Sequence, residues 1–436
     1  MIYESFTYES NFETYKLSNG IELFFFPQKN NKKISFNTFF NVGVRDEEKK
    51  HSGISHFLEH MMFRGSKNYP DFKRLATAFE KYAGDWNAST GYETTDYSFS
   101  GLYTKNSHNI VDLFYDFLFY PQFEGIEKER QIVLREIEDD LNHLGHLIDS
   151  DHQALKLLWP SSTLSRPITG TKDSIESLSF DDLAFYYKSF YVSSNMLLTL
   201  SGPDEAKDWI PKIDEKFSLL EEMKTITRKK EILPNFVGPK VSLIEHPDNQ
   251  YQVHMIFPCQ NEWDQDYPVY SILDSLLSDG YMSRLSYRIR EEKGLVYDID
   301  SSVCSYNDSG TFSIYSSTET SMFHLFLPEL LKILSNLSKN KITDEELERA
   351  KVRSLMRLST LTYDKESYMH YVARSYFIKK DPKLDLLCDK IKNMTKNQIM
   401  SCAERLFVKR NCGLVMIGPK DKGARGYALN MIEKYL

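Results

Sequence analysis

His56, Glu59 and His60 are the residues whose types and spacing point most directly to metal chemistry. They lie within Gly53–Phe63, a run whose apolar side chains predict a buried helix. Residues four apart on a helix have Cβ atoms roughly 5–6 Å apart, so both imidazoles can bind one zinc ion at about 2.0–2.1 Å. Glu59 projects beside the same face, where it can accept a proton from a water whose pKa the metal lowers toward about 7. This His-x-x-Glu-His order is the reverse of the His-Glu-x-x-His order.

The composition is that of an ordinary globular protein. The 436 residues are 27% charged and 41% hydrophobic, and this length predicts two or more domains. The net charge of −8, without a dense basic tract, gives no reason to expect a nucleic acid partner. The chain shows neither an apolar run long enough to span a membrane nor a secretory signal pattern, so we expect a cytoplasmic protein. The five cysteines form no Cys-x-x-Cys pair and predict buried free thiols.

Strands and further helices are predicted around the histidine-bearing helix. The predicted strands are residues 15–17 and 21–26 (joined by an Asn-Gly turn), 33–40, 84–90, 95–99 and 195–200. The predicted helices are residues 71–80, 111–119, 127–138 and 211–222. These elements must hold the histidines and any further ligand in place.

Glu129 and Glu136 lie two turns apart on one face of the predicted helix 127–138. A charged run of this kind is ordinarily a solvated helix face. The apolar stripe Ile132, Val133 and Ile137 nevertheless predicts that one side is buried, and a buried carboxylate needs a partner such as a metal ion.

The second half of the chain repeats the first at a nearly constant offset. Residues 190–203 match residues 406–419, and residues 34–40 match residues 251–257. At this spacing His56 falls on Leu273 and His60 on Leu277, so only one half carries the motif. We predict an α+β fold of two homologous domains related by duplication, each a mostly antiparallel sheet packed with helices. The predicted limits are residues 1–224 for the metal-binding domain, 225–239 for a linker and 240–436 for a domain without metal.

Several runs together resemble one known family over nearly the whole chain. They are Gly53–Gly65, Asn87–Thr90, Val133–Glu136, Ser283–Leu285 and Arg290–Tyr297. Together they are similar to the pitrilysin/insulinase family of zinc metallopeptidases, and within it to the branch that includes mitochondrial processing peptidase. The glycine-rich loop of the metal-free processing-peptidase subunit is absent, so the chain resembles a catalytic subunit.

The resemblance implies a zinc-dependent endopeptidase with one zinc ion per chain. The ion would be bound by His56, His60 and Glu136, with Glu59 as the catalytic base. Glu129 falls on the family's glutamate that supports the ligands.

The resemblance also implies residues that hold the substrate. Asn87 and Ala88 fall where the family binds the backbone of a peptide that adds to an edge strand. Arg290 and Tyr297 match an arginine–tyrosine pair that stabilises the negative charge of the tetrahedral intermediate. From pattern alone, Arg290 is a surface charge and Tyr297 a core residue.

Partners follow from the same resemblance. Larger family members carry four such domains in one chain and enclose peptide substrates in a chamber, so two chains of this length should pair. The partner would be a second copy or a related inactive chain. Two other hypotheses stay open: a non-catalytic assembly subunit, which the intact residue set disfavours, and a structural zinc protein, for which no fourth protein ligand is evident.

Overall fold

Two β-sheets, one in each half of the chain, form the framework of the fold. The computed structural model describes residues 11–82, 84–104, 106–221, 231, 233–339 and 342–436. The strands of the first half are β1 (Glu13–Lys16), β2 (Glu22–Pro27), β3 (Lys33–Phe40), β4 (Asp85–Thr90), β5 (Thr95–Leu102) and β6 (Met196–Gly202). Those of the second half are β7 (Lys240–Glu245), β8 (Gln250–Cys259), β9 (Ile299–Ser305), β10 (Gly310–Glu319) and β11 (Gly413–Gly418).

The two sheets share one strand order. The first sheet runs β1-β2-β6-β3-β5-β4 and the second β7-β11-β8-β10-β9, so the second repeats the first without β1. In each sheet a single pair is parallel, β2 with β6 and β7 with β11, and the other pairs are antiparallel. The prediction of two homologous, mostly antiparallel α+β units is therefore confirmed.

Helices cover both sheets. In the first half they are α1 (Ile54–Met62), α2 (Phe72–Glu80), α3 (Ile110–Phe119), α4 (Ile126–Asp139), α5 (Ser150–Leu158), α6 (Lys172–Ser177), α7 (Phe180–Phe190) and α8 (Ile210–Phe217). In the second half they are α9 (Tyr267–Leu277), α10 (Phe323–Lys339), α11 (Asp344–Tyr363), α12 (Lys365–Phe377), α13 (Asp385–Lys392), α14 (Lys396–Leu406) and α15 (Ala424–Tyr435). A π-helical segment, Ser286–Glu292, follows α9.

Each half lends one helix to the sheet of the other. Helix α5 packs on β8 and β11, where Leu155 and Leu158 share a core with Ile256 and Val415. Helix α12 packs in turn on the first sheet, with the Tyr368 ring 5.6 Å from that of Phe26. Both sheets thus depend on apolar surface from the opposite half.

The predicted helix 211–222 is wrong at its end. Helix α8 stops at Phe217, and residue 222 lies outside the described residues. The amide of Asn19 donates hydrogen bonds to the carbonyls of Phe217 and Leu220, at 3.0 and 3.1 Å. Asn19 lies in the turn between β1 and β2. Its amide occupies carbonyls that would otherwise accept hydrogen bonds from a further helical turn.

The predicted linker between the two halves is described only in part. Of the predicted linker, residues 225–230 and 232 lie outside the described residues, and 233–239 form neither helix nor strand. The domain limits therefore stay predictions.

All five cysteines are free thiols, but Cys304 on edge strand β9 is exposed and Cys259 half-buried, so the prediction of burial is wrong for those two. Among the described helices, none is long and apolar enough to cross a membrane. A cytoplasmic location stays a prediction.

Candidate metal centre

Helix α1 is fixed at its N-terminus by a buried carboxylate. Gly53 precedes it with φ 88°, a left-handed conformation that favours glycine, and a Cβ there would lie 2.7 Å from the Cα of Gly170. The Glu47 carboxylate accepts hydrogen bonds from the backbone N–H groups of Gly53 (2.8 Å) and Ser55 (3.0 Å). These are helix-terminal donors that have no partner within the helix. Glu47 therefore fixes where α1 begins, and with it the positions of both histidines.

Three side chains meet at the candidate metal centre. The rings of His56 and His60 lie 4.6 Å apart on α1, and Glu136 approaches from α4. Glu136 Oε1 lies 3.7 Å from His56 Nε2, and Glu136 Oε2 lies 3.7 Å from His60 Nε2. One ligand atom from each of the three lies within 4.8 Å of the others.

These distances fit a shared ion better than direct hydrogen bonds. At 3.7 Å the nitrogen and oxygen atoms are too far apart for a hydrogen bond. Two atoms each about 2.0–2.1 Å from a tetrahedral zinc ion lie about 3.4 Å apart. Two imidazoles and one carboxylate are also the donor set that suits zinc, and they leave a fourth position open. The three side chains therefore fit the metal that the motif predicts.

Glu129 orients His60 from behind. Its carboxylate is 5% exposed and accepts a hydrogen bond from His60 Nδ1 at 3.0 Å. With the proton held on Nδ1, the Nε2 lone pair points toward Glu136 and is free to bind a metal. Arg64 lies 3.3 Å from the other oxygen of Glu129 and balances the buried charge. On the same helix Ile132 is 37% exposed, so the predicted apolar stripe is narrower than expected.

The environments of the two histidines differ. Burial, followed by the neighbouring His60, lowers the pKa of His56 to about 4. Burial also acts to lower the pKa of His60, but the hydrogen bond to Glu129 and the nearby carboxylates outweigh it and raise that pKa. His56 is thus neutral at neutral pH, the form that binds metal.

Glu59 is held by the edge strand rather than by the ligands. The hydroxyl of Thr90, the last residue of β4, donates a hydrogen bond to Glu59 Oε2. Burial raises the pKa of Glu59, and the Thr90 hydrogen bond offsets that in part. The carboxylate is therefore fixed in orientation where α1 contacts β4. Its raised pKa makes it a better proton acceptor than an exposed carboxylate.

Strand β4 carries Asn87 and Ala88 and ends the first sheet. Within the described residues it pairs only with β5, so its outer backbone edge is unpaired. Asn87 is exposed and Ala88 half-buried. An extended peptide can add to such an edge through backbone hydrogen bonds.

Arg290 and Tyr297 lie together on the second half. The Arg290 guanidinium lies 5.8 Å from the centre of the Tyr297 ring and 5.7 Å from that of Tyr281. Tyr297 is 89% exposed, so the interpretation of it as a core residue is wrong. Among the contacts of the described residues, none joins either side chain to His56, His60 or Glu136.

Pattern reasoning missed the roles of Glu47, Thr90 and Arg64. Thr90 and Arg64 contact residues on other elements, whereas Glu47 caps the helix that begins a few residues after it, through hydrogen bonds that have no periodic signal. Thr90 carries the one available signal, because it lies at an alternate position from Ala88 and so shares a strand face with it.

Two family models match successive stretches of the chain. The model of the insulinase family, peptidase family M16, matches residues 26–170, and that of the peptidase M16 inactive domain matches residues 177–353. The chain belongs to peptidase family M16. The M16 domain described as inactive corresponds here to a half in which Leu273 and Leu277 replace the two histidines.

Individual M16 proteins match over most of the chain. An uncharacterized zinc protease of Rickettsia felis is 28% identical over 424 residues, covering 95% of this chain and 99% of its own. The probable mitochondrial-processing peptidase subunit beta of Schizosaccharomyces pombe is 26% identical, covering 72% of this chain and 70% of its own. The solved structure of the periplasmic protease PqqL from Escherichia coli has a TM-score of 0.78 at 18% identity. It covers 98% of this chain but only 50% of PqqL.

Proposed function

We propose that this protein is a zinc-dependent endopeptidase that cleaves peptides or unfolded protein segments inside a closed chamber. The observation that carries the proposal is the convergence of His56, His60 and Glu136 at 3.7 Å spacings beside Glu59. Membership of a family whose relatives are called zinc proteases supports it.

The chain's residues divide the chemistry among them. His56, His60 and Glu136 hold one zinc ion per chain, and Glu129 keeps His60 in the tautomer that binds it. When bound, zinc supplies a Lewis acid for the scissile carbonyl and lowers the pKa of the attacking water. Glu59 accepts the proton of that water and delivers it to the nitrogen of the departing amine, so the peptide bond breaks without a free proton.

Substrate binding is assigned to the edge of the first sheet. An extended peptide lies along β4, where Asn87 and Ala88 hold its backbone. Thr90 on the same strand touches Glu59, so a peptide that follows β4 is led to the catalytic base. This arrangement binds backbone and suits unfolded segments of varied sequence.

Pairing of two chains completes the site in this proposal. Tyr297 is exposed and Arg290 half-buried, and no described contact joins either side chain to the metal centre of its own chain, which suits a role at the site of a partner. PqqL offers a parallel, since this chain matches only half of its length. We propose a two-fold dimer in which each protomer's arginine–tyrosine pair serves the other's zinc, the partner being a second copy or a related chain.

The first experiment measures zinc content and cleavage on the same preparation. Purified protein should contain about one zinc ion per chain and cleave members of a quenched-fluorescence peptide panel. A chelator should abolish cleavage, and added zinc should restore it. Bound zinc without cleavage would favour a structural or scaffold subunit, whereas cleavage that survives complete removal of metal would refute the proposal.

A further inference from the structure

Helices α9 and α11 of the second half correspond, through the duplication, to α1 and α4 of the first half. Helix α4 packs on α1, and α11 packs on α9. The spacing of 217 residues that relates residues 34–40 to residues 251–257 places Glu129 on Glu346 and Glu136 on Arg353. The second half therefore has a counterpart of the metal centre in which a cation stands where the first half has a candidate acidic ligand.

This counterpart keeps the supporting glutamate but is apolar where the first half has its candidate base. Glu346, like Glu129, is paired with an arginine, since Arg284 donates to it hydrogen bonds of 2.8 and 3.0 Å. Leu276 takes the place of Glu59. Among the described residues, no group of metal-ligating side chains lies between α9 and α11. The counterpart is therefore suited to a ligand other than a metal ion.

A cleft of about 720 Å³ opens between α9 and α11 at this place. Leu276, Met282 and Val352 give this α9/α11 cleft apolar walls, and Arg353 of α11 also lines it. Gly280 leaves room for the guanidinium, because a Cβ there would lie 2.9 Å from Arg353 Nη2. A second hollow of about 440 Å³ shares Met282 with the cleft and extends it. Clefts of about 300–1,000 Å³ are the size that binds small ligands in proteins.

Two hydrogen-bonding groups of the cleft lack partners. Arg353 donates no hydrogen bond among the described residues, and the carboxylate oxygen closest to it, Asp279 Oδ1, is 3.6 Å away. Ser283 also lines the cleft and is 6% exposed, and its buried hydroxyl has no hydrogen-bond partner in the described part of the chain. Buried polar groups are almost always paired in folded proteins, so Ser283 calls for a partner that the chain does not supply.

The carboxylates in and beside the cleft all have cationic neighbours. The pairs are Glu345 with Arg349, Glu346 with Arg284, Glu348 with Lys351, Asp274 with Arg357, and Asp279 with both Arg353 and Arg357. At 3.6 and 3.8 Å the two contacts of Asp279 are too long for hydrogen bonds. All five N–H donors of Arg353 are therefore available to a ligand that brings acceptors.

We propose that the α9/α11 cleft binds the C-terminal carboxylate of a peptide whose last residue is apolar. The inference rests on the proposed peptidase function, because each cleavage of a peptide bond creates such a carboxylate. Arg353 presents a guanidinium that holds a carboxylate through two parallel N–H···O bonds, and the Ser283 hydroxyl supplies a further donor. The apolar walls of the cleft receive the last side chain.

Tyr281 connects the cleft to the proposed place of cleavage. Its ring lines the cleft and lies 5.7 Å from the Arg290 guanidinium. In the proposed dimer, Arg290 and Tyr297 act at the partner's zinc, so the cleft opens beside the place where new C-termini form. This position favours a peptide over other apolar carboxylates as the ligand.

Fluorescence anisotropy tests the cleft with labelled peptides that differ only at the C-terminus. A short peptide that ends in leucine is titrated, as the free acid and as the amide, into zinc-loaded Glu59→Gln protein. The acid should bind about tenfold more tightly, as expected for a charge-assisted, bidentate contact. Arg353→Gln should remove this difference, and Ser283→Ala should weaken binding of the acid a few-fold. The control is Arg405→Gln, which removes an exposed arginine outside the cleft and should leave the difference unchanged.

The possible results separate the cleft from catalysis. A preference for the acid that Arg353→Gln removes, when the protein with Glu59 intact cleaves nothing, would support the cleft and count against the proposed peptidase function. Equal binding of acid and amide, or a preference that survives Arg353→Gln, would overturn the cleft, and cleavage by the protein with Glu59 intact would leave the peptidase function standing.

A competition assay tests whether the ligand is a peptide. Decanoate is an apolar carboxylate without a peptide bond, and it should displace the labelled acid only at higher concentrations than the unlabelled peptide does. Displacement by decanoate at lower concentrations than by the peptide would overturn the assignment to a peptide C-terminus.

Discussion

At the scale of single residues, three carboxylates near α1 have three different roles because their surroundings differ. Glu129 is buried between His60 and Arg64, where its charge is balanced and its task is to orient an imidazole. Glu136 has a side chain 42% exposed and faces both Nε2 atoms, as a metal ligand must. Glu59 is bound to Thr90, apart from the ligands. In the proposed mechanism the same functional group thus supplies a support, a ligand and a base.

Glu136→Gln should lose most of the bound zinc. A neutral amide is a far poorer zinc ligand than a carboxylate and leaves the charge of the ion less compensated. Zinc is measured by elemental analysis after dialysis, with Glu138→Gln on the same helix as the matched control. Full zinc occupancy together with full activity in Glu136→Gln would remove that residue from the ligand set.

At the scale of elements, two carboxylates fix the positions of segments that carry candidate functional residues. The α1 helix begins where Glu47 caps it. In the second half, Arg284 lies two residues before the π-helical segment that carries Arg290, and it donates two hydrogen bonds to Glu346, at 2.8 and 3.0 Å. Glu346 also completes a capping box with Thr343 at the start of α11. This carboxylate thus ties the segment with Arg290 to a long helix.

Glu346 should make the free energy of unfolding depend on pH. Burial acts to raise its pKa, but the hydrogen bonds from Arg284 and Thr343 outweigh burial and lower it to about 2. A lowered folded pKa gives stability that is present above the unfolded value near 4.5 and is lost as pH falls toward 2. Allowing for solvent screening, the contribution is about 1–2 kcal/mol.

Denaturant unfolding at pH 7 and at pH 3.5 measures this contribution. Glu346→Gln should be less stable than the unmodified protein at pH 7, and the difference should shrink at pH 3.5. The control Glu345→Gln removes an exposed pair with Arg349 and should change little at either pH. A destabilisation by Glu346→Gln that is equal at both pH values would contradict the assignment.

At the scale of the whole molecule, the exchange of α5 and α12 joins the two sheets into one structure. Each exchanged helix buries apolar side chains on the opposite sheet. At the junction of the halves, the buried Arg45 contacts Glu93 at 2.8 Å and Asp308 at 2.7 Å. The second half therefore packs against the half that carries the candidate metal centre, and itself carries Arg290 and the exposed Tyr297.

Mixing two inactive variants tests whether the site is shared between protomers. One is Glu59→Gln and the other combines Arg290→Ala with Tyr297→Phe, and they are mixed after reversible dissociation. If the pair acts on the partner's zinc, a mixed dimer has one intact site, and random mixing restores at most about a quarter of normal activity. If the arginine–tyrosine pair acts on the zinc of its own chain, every site in the mixture still lacks either Glu59 or the pair, and no activity returns. Absence of recovery despite verified subunit exchange would contradict the shared site.

The sequence predicts features that depend on local pattern. The histidine-bearing helix, the third strand and the duplication all follow from periodicity and spacing, and the structure has α1, β3 and two sheets of like order at those places. The pairing of Glu136 with the histidines required the family resemblance, because Glu136 lies 76 residues beyond His60 and pattern alone favoured a solvated face for any single glutamate.

Features set by individual hydrogen bonds or by tertiary packing escape such reasoning. The end of α8 is fixed by Asn19, and the start of α1 by Glu47, through hydrogen bonds that have no periodic signal. Tyr297 resembles a core aromatic in sequence, yet it lies exposed beside Arg290. The exchange of α5 and α12 is also invisible locally, since an amphipathic helix does not record which sheet it covers.

The most direct test of the central claim is the Glu59→Gln variant, measured for zinc and for cleavage together. The account predicts that the variant keeps its fold and about one zinc ion per chain, because Glu59 is not a ligand. Its kcat for a quenched peptide should fall by about 10²–10⁴-fold, as expected when a general base is lost. Cleavage within a few-fold of the unmodified protein, with zinc retained, would contradict the role of Glu59 and the mechanism built on it.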